Sequence, residues 1–257
     1  MTTRRGKYQG VFQIVRFNWP MYLVAAVILI AGTVLTTIVA LPELVRAIAR
    51  AGLGLAGFWL ILSLLVSHYV YDRSALSRAE WLRRIFPTPP PRYAKLHVGL
   101  DEFSEILHEH FPQSQSVAVD FFAATEMTEP SIRRARQENT AALSTVLRAD
   151  FRALPFRDGE FDAAFLIFAA HELRRAGSRH RLFRELSRVL KPRGKIVLVE
   201  HLRDVANFLA FGPGCFHFHS RGAWLQAMME TGLSSADEFR CTPFVRVFVF
   251  EKNLSRV

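Results

Sequence analysis

The chain has 257 residues, half of them hydrophobic, with 33 Lys and Arg against 23 Asp and Glu for a net charge of +10, and its mean hydropathy is +0.14. That length sets a prior of one or two domains. Residues 1–95 hold 12 Lys/Arg and 3 Asp/Glu, whereas residues 96–257 hold 21 and 20, so the second part carries none of the basic excess that a nucleic-acid-binding domain would show, and no nucleic-acid partner is expected.

The basic excess flanks two uncharged apolar runs, Trp19–Leu41 and Ala51–Tyr71, joined by the nine residues 42–50. Each run has the roughly 20 residues a helix needs to cross a bilayer. A second run follows the first at once, and the first is too long for a cleaved leader, so the pair reads as a transmembrane hairpin. Arg4, Arg5, Lys7 and Arg16 precede it, and Arg73, Arg78, Arg83, Arg84, Arg92 and Lys95 follow it. The positive-inside rule then places both ends in the cytoplasm, on the inner membrane, with membrane lipids as partners. Trp19, Tyr22, Trp59, Tyr69 and Tyr71 lie mostly near the run ends, as interfacial aromatics do.

The expected organisation is a basic N-terminus over 1–18, the hairpin over 19–71, an interfacial helix and Pro-rich linker over 72–91, and a domain over 92–257. Ser74–Phe86 puts Leu76, Ala79, Leu82, Ile85 and Phe86 near one helical face and arginines on much of the other, which suits the headgroup layer or packing on the domain equally. Pro87–Pro91 reads PTPPP, a stiff spacer.

Beyond it, strand and helix patterns alternate. Strands are expected at Lys95–Val98, Ser116–Phe122, Thr145–Ala149, Phe161–Ala169 and Lys195–Glu200, with a terminal pair at Phe239–Cys241 and Val245–Glu251. Helices are expected at Glu102–His110, Pro130–Ala142, Arg179–Leu190 and Arg221–Glu230. Alternation with continuous apolar strands argues an α/β fold, a mostly parallel sheet with helices on both faces. Ligands of such sheets bind beyond the carboxyl ends of the strands. The residues there are Gly99 after the first strand, Asp120 ending the second 21 residues on, Asp150 ending the third, and His171 and Glu172 just past the fourth.

Together these segments resemble class I S-adenosylmethionine-dependent methyltransferases, in particular those acting on quinones and small lipids. The resemblance covers roughly residues 93–252 and is strongest over Leu147–Glu200. It rests on Asp150 before the Leu154-Pro155-Phe156 turn, on Phe161-Asp162, on Ala170-His171-Glu172-Leu173, and on Arg188-Val189-Leu190-Lys191-Pro192-Arg193-Gly194. It implies a Rossmann-like domain with a seven-stranded sheet and S-adenosylmethionine as cofactor. Asp120 would hold the ribose, Asp150 and Phe151 would contact adenine, Phe121 would stack on it, and Gly99 would admit the methionine part. His171 and Glu172 would border the methyl acceptor, with His171 as a base. The acceptor would be a lipophilic small molecule, which rewards an enzyme held at the bilayer.

Two departures stand out. The family's first loop is glycine-rich, but here it reads His97-Val98-Gly99-Leu100-Asp101-Glu102-Phe103; one glycine remains, and Asp101 stands where it would meet the cofactor's ammonium. The stretch from Asp120 to the Ala135-Arg136 pair takes fifteen residues, where the family usually takes about nine. Both departures also suit a second reading, an inactive methyltransferase fold serving as an accessory subunit among integral membrane proteins. Asp162 reads as structural, and Glu200 as a partner to a neighbouring loop. Cys215 and Cys241 give no metal spacing. His201, His217 and His219 look like a metal set, but no second motif joins them, so no metal is expected.

Overall fold

The computed structural model of the chain describes residues 6–99, 103–138, 146–229 and 231–253. Two helices open it, α1 (Gln9–Ile38) and α2 (Glu43–His68), and both are long and apolar enough to cross a membrane. Pro20 lies inside α1 and the backbone of Asn18 leaves helical geometry. A proline cannot give its N–H to the carbonyl four residues back, and its ring crowds that carbonyl. Where the backbone of Asn18 leaves the helix, its side chain donates to the Ile14 carbonyl four residues back, at 2.9 Å. The bend lets residues 9–17 lie along the domain: Arg134 donates to the Phe17 carbonyl at 2.6 Å, and Arg16 pairs with Glu138 at 2.9 Å.

The end of α2 widens into a π-type turn, Tyr69–Arg73, which carries Asp72 under the start of α1. The Asp72 carboxylate accepts from the amides of Gly10 at 2.6 Å and Val11 at 3.1 Å, and His68 Nδ1 lies 2.9 Å from it. These are amides that a helix N-terminus leaves unsatisfied. Asp72→Ala is expected to cost about 1–2 kcal/mol and to loosen residues 9–18 from the domain, read as faster amide exchange confined to that stretch.

Residues 75–86 form two short helices, α3 (Ala75–Arg78) and α4 (Leu82–Ile85), in place of one. Ala79 takes a left-handed φ of 51° and ends the first. Their apolar face packs on the domain: Leu76, Leu82, Ile85 and Phe86 are buried in one cluster with Tyr93, Phe165, Val197 and Val247.

The sheet has seven strands, β1 (Arg92–His97), β2 (Gln115–Asp120), β3 (Leu147–Arg148), β4 (Phe161–Ile167), β5 (Leu190–His201), β6 (Leu233–Thr242) and β7 (Val245–Lys252). Their order is β3-β2-β1-β4-β5-β7-β6. Pairing is parallel from β3 to β5, and only β7 runs against its neighbours. In β4 and β5, Ala164, Leu166, Ile196 and Leu198 face one core, and Ala163, Phe165, Val197 and Val199 face the other. Burial on both faces is why these strands read as unbroken apolar runs. Among the described residues the remaining α-helices are α5 (Ser104–His110), α6 (Pro130–Glu138), α7 (Ala176–Val189), α8 (Val205–Phe211) and α9 (Arg221–Met228). Leu182, Phe183 and Leu186 of α7 and Trp224 of α9 fill the first core, while Leu107 of α5 joins α3 and α4 in the second.

Candidate functional site

A cavity of about 200 Å³ opens at the carboxyl ends of β1 and β4. Val98 and Gly99 bound it after β1, Ile167, Phe168 and Ala169 after β4, and Ile132 and Ala135 from α6. His171 and Glu172 also line it, as do Gly10, Gln13, Ile14 and Phe17 of α1. The base of the first apolar helix is therefore part of the site.

The expected cofactor residues divide into three groups. Gly99 has a φ of 140°, which side-chain-bearing residues avoid, and a Cβ there would meet Arg136 Cγ at 2.5 Å. Asp120 ends β2 as expected, but both its oxygens are engaged by Arg136, whose Nη1 and Nη2 donate at 2.8 Å and 2.7 Å. The Phe122 amide also donates to Oδ1 at 3.1 Å, and the Arg136 guanidinium lies 4.1 Å over the Phe122 ring. Asp150 stays at the surface, where it accepts from the Arg152 amide at 2.9 Å. Phe121 and Phe151 depart from expectation: both rings are buried in the core and neither lines the cavity, while Phe122 is half-buried with Arg136 over its ring. Asp101 lies outside the described residues, as do Leu100 and Glu102.

An adenosyl cofactor needs an acid at the end of β2 and a side-chain-free backbone after β1, and Asp120 and Gly99 meet both needs. Ribose hydroxyls and Arg136 compete for the same two carboxylate oxygens. The donor set fits the cofactor provided the Arg136 side chain swings away from Asp120.

His171 is held by two carboxylates. Its amide donates to Glu200 at 3.2 Å, its Nδ1 lies 2.8 Å from Glu200 Oε2, and its Nε2 lies 3.2 Å from Glu172 Oε1. Burial disfavours the imidazolium, but the two carboxylates outweigh it and hold His171 well above its usual range. Both ring nitrogens of His171 are thus engaged by carboxylates. Glu200, expected only to pair with a loop, is what orients that ring. Asp162 is structural as expected: it binds Lys191 at 2.9 Å and the Arg92 amide at 3.0 Å, at the far end of β4. Burial raises both cysteine thiols, that of Cys241 to about 11, so neither offers a thiolate nucleophile.

The three histidines that look like a metal set in the sequence lie apart in the structure. His201 is stacked between Phe168 and Phe218 and bonded to Tyr71 at 3.0 Å. His219 contacts Arg179 and Trp224. Only His217 reaches the site, with its ring 5.3 Å from that of His171. Sequence reading also missed Gln13 and Phe17, because a cavity wall from α1 follows from the bend at Asn18.

Burial pushes both His97 and His201 down to about 4. In the unfolded chain each would titrate near 6.5, so their neutral forms stabilise the fold above that value. Stability is therefore lost as pH falls from about 6.5 toward 4, by roughly 3 kcal/mol per site. Denaturant midpoints should drop steeply across that window, and a flat profile would contradict the burial of these two rings as neutral groups.

Residues 97–198 match the family model described as "Methyltransferase domain". Demethylmenaquinone methyltransferase of Thermus thermophilus is 34% identical over 125 residues, which are 47% of this chain and 54% of that protein. The chain thus spans about half the length of the curated relative it matches. A SAM-dependent methyltransferase from Aquifex aeolicus superposes with a TM-score of 0.52 at 13% identity, over 75% of this chain and 97% of that one. A putative type 11 methyltransferase from Sulfolobus solfataricus gives 0.51 at 15%, over 70% and 94%. The fold is that of S-adenosylmethionine-dependent methyltransferases, and the chain is methyltransferase-like.

Proposed function

We propose that the protein is a membrane-anchored S-adenosylmethionine-dependent methyltransferase whose acceptor is a lipophilic molecule of the quinol class, met at the cytoplasmic face of the inner membrane. One observation carries this reading. The cavity at the strand ends is lined in part by the base of α1, and beyond Asn18 the same helix continues as an apolar span. An acceptor leaving the hydrocarbon along α1 arrives at Gln13 and Phe17 without crossing water.

A second feature supports attachment at the interface. Helix α8 and the 3-10 turn after it, Gly212–His217, expose Val205, Leu209 and Phe216. This segment packs on α2 at Trp59, whose Nε1 donates to the Leu209 carbonyl at 3.2 Å and whose ring closes on Gly212. Apolar side chains exposed beside a membrane-length helix suit burial among headgroups and acyl chains. The Thermus thermophilus relative, named for demethylmenaquinone, agrees with a quinol ring as acceptor.

When bound, the cofactor supplies a methyl group already activated on its sulfonium. The chain's residues then bind and align. Asp120 would hold the ribose with Arg136 displaced, Gly99 would give close backbone approach, and Glu172 would accept a hydrogen bond from the acceptor's hydroxyl. Alignment of nucleophile and methyl in a site shielded by α1 is the main source of rate.

The test is methyl transfer in proteoliposomes from radiolabelled S-adenosylmethionine to a demethylated prenyl naphthoquinol. Label is expected in the solvent-extractable fraction. Absence of label there, with the protein folded and inserted, would overturn the reading.

A further inference from the structure

We propose that His171, Glu172 and His217 form a binding site for one divalent transition-metal ion at the edge of the cavity. One ligand atom from each lies within 4.8 Å of the other two. Glu172 is the centre: His171 Nε2 stands 3.2 Å and His217 Nε2 3.9 Å from its Oε1. Ligands around a tetrahedral zinc lie roughly 3.3 Å apart, given metal–ligand distances near 2.0–2.2 Å, so closing the set draws its widest pair together by at most about 1.5 Å.

Two observations point to a cation beyond the clustering itself. Glu172 Oε2 is buried with no hydrogen-bond partner, on a side chain only 8% exposed, and a carboxylate oxygen in that state costs free energy unless a cation meets it. Both imidazoles also present Nε2 to Glu172 and back their Nδ1 on a carboxylate, His171 on Glu200 at 2.8 Å and His217 on Glu129 at 3.7 Å. That is the arrangement by which outer carboxylates orient metal-bound histidines. Arg174 is the nearby cation, and it is turned to backbone, donating to the carbonyls of His171 and His217.

Two imidazoles and one carboxylate select a first-row ion such as zinc or iron(II) over magnesium or calcium, which prefer all-oxygen sets. His171 and Glu172 border the cavity, so a vacant coordination position faces it and takes water or an oxygen of a bound molecule. The site is defined by these side chains alone and does not rest on methyl transfer.

The test uses the full chain in detergent, stripped with a chelator and titrated with Co²⁺ by visible absorption and with Zn²⁺ by calorimetry. One equivalent is expected, with d–d bands indicating nitrogen and oxygen ligands. His217→Ala and Glu172→Gln should each weaken binding at least about 100-fold, and Glu200→Gln, which acts through His171, about 10–100-fold. His217 is one-third exposed, so H217A keeps the fold, checked by an unchanged melting profile without metal. Failure to bind one equivalent, or binding undiminished in both H217A and E172Q, would overturn the proposal.

Discussion

Asp120→Ala and Arg136→Gln are expected to act in opposite directions on cofactor affinity although they break the same ion pair. The Asp120 side chain is 1% exposed and that of Arg136 17%. Removing one partner of a buried pair costs about 3–5 kcal/mol because the other charge is left without compensation. Asp120→Ala should fall at the low end, since the Arg136 guanidinium recovers some solvent and keeps its bond to the Val98 carbonyl at 3.0 Å. A loss near 3 kcal/mol corresponds to a melting shift of roughly 6–12 °C for a domain of this size. The same change removes the acid that would hold ribose, so binding of S-adenosylhomocysteine should vanish. Arg136→Gln frees both carboxylate oxygens and the space over Gly99, so the ligand no longer has to displace a bidentate arginine, and affinity should rise about tenfold or more. Equal loss of binding in both variants would contradict a competition between Arg136 and the cofactor.

A fragment beginning at Arg92, the start of β1, is expected not to fold. The residues it lacks include Val70, Leu76, Leu82, Ile85 and Phe86, all buried against the second core. Each such side chain contributes about 1.5–3 kcal/mol on burial, so five of them together match the whole 5–15 kcal/mol stability of a typical domain. Phe165 would be uncovered on one side, where Phe86 now lies 5.7 Å from it. A fragment beginning near Val66 restores these contacts. Circular dichroism and solubility of the two fragments decide the point; a folded, monomeric Arg92 fragment would contradict the packing described for α3 and α4.

Much of the fold was legible because its strands bury both faces. The runs Ala163–Ile167 in β4 and Ile196–Val199 in β5 contain no polar residue, and the Lys-Pro-Arg-Gly segment at the start of β5 marks the join to α7. Asp120, Asp150, His171 and Glu172 fall at strand ends for the same reason. Three features resisted sequence reading. Ser74–Phe86 follows a helical period, but Ala79 breaks it, and only the sheet decides which face is buried. Arg136 sits next to an alanine that the family pattern predicts, yet its engagement with Asp120 depends on the path of the long insertion before it. His217 is 46 residues from His171 and meets it only because Arg174 ties the two backbones together. The segment from Leu202 to Ser220 carried no readable period, since it packs on α2 on one side and exposes Val205, Leu209 and Phe216 on the other.

The central claim is that Gly99 after β1 and Asp120 at the end of β2 take an adenosyl cofactor once Arg136 yields. Calorimetric titration of the full chain in lipid nanodiscs with S-adenosylhomocysteine tests it most directly. Saturable binding of one equivalent at micromolar affinity, tightened by Arg136→Gln, is the predicted result. No binding at millimolar ligand by either the native chain or the Arg136→Gln variant, both folded, would contradict it and leave the domain a structural role at the membrane.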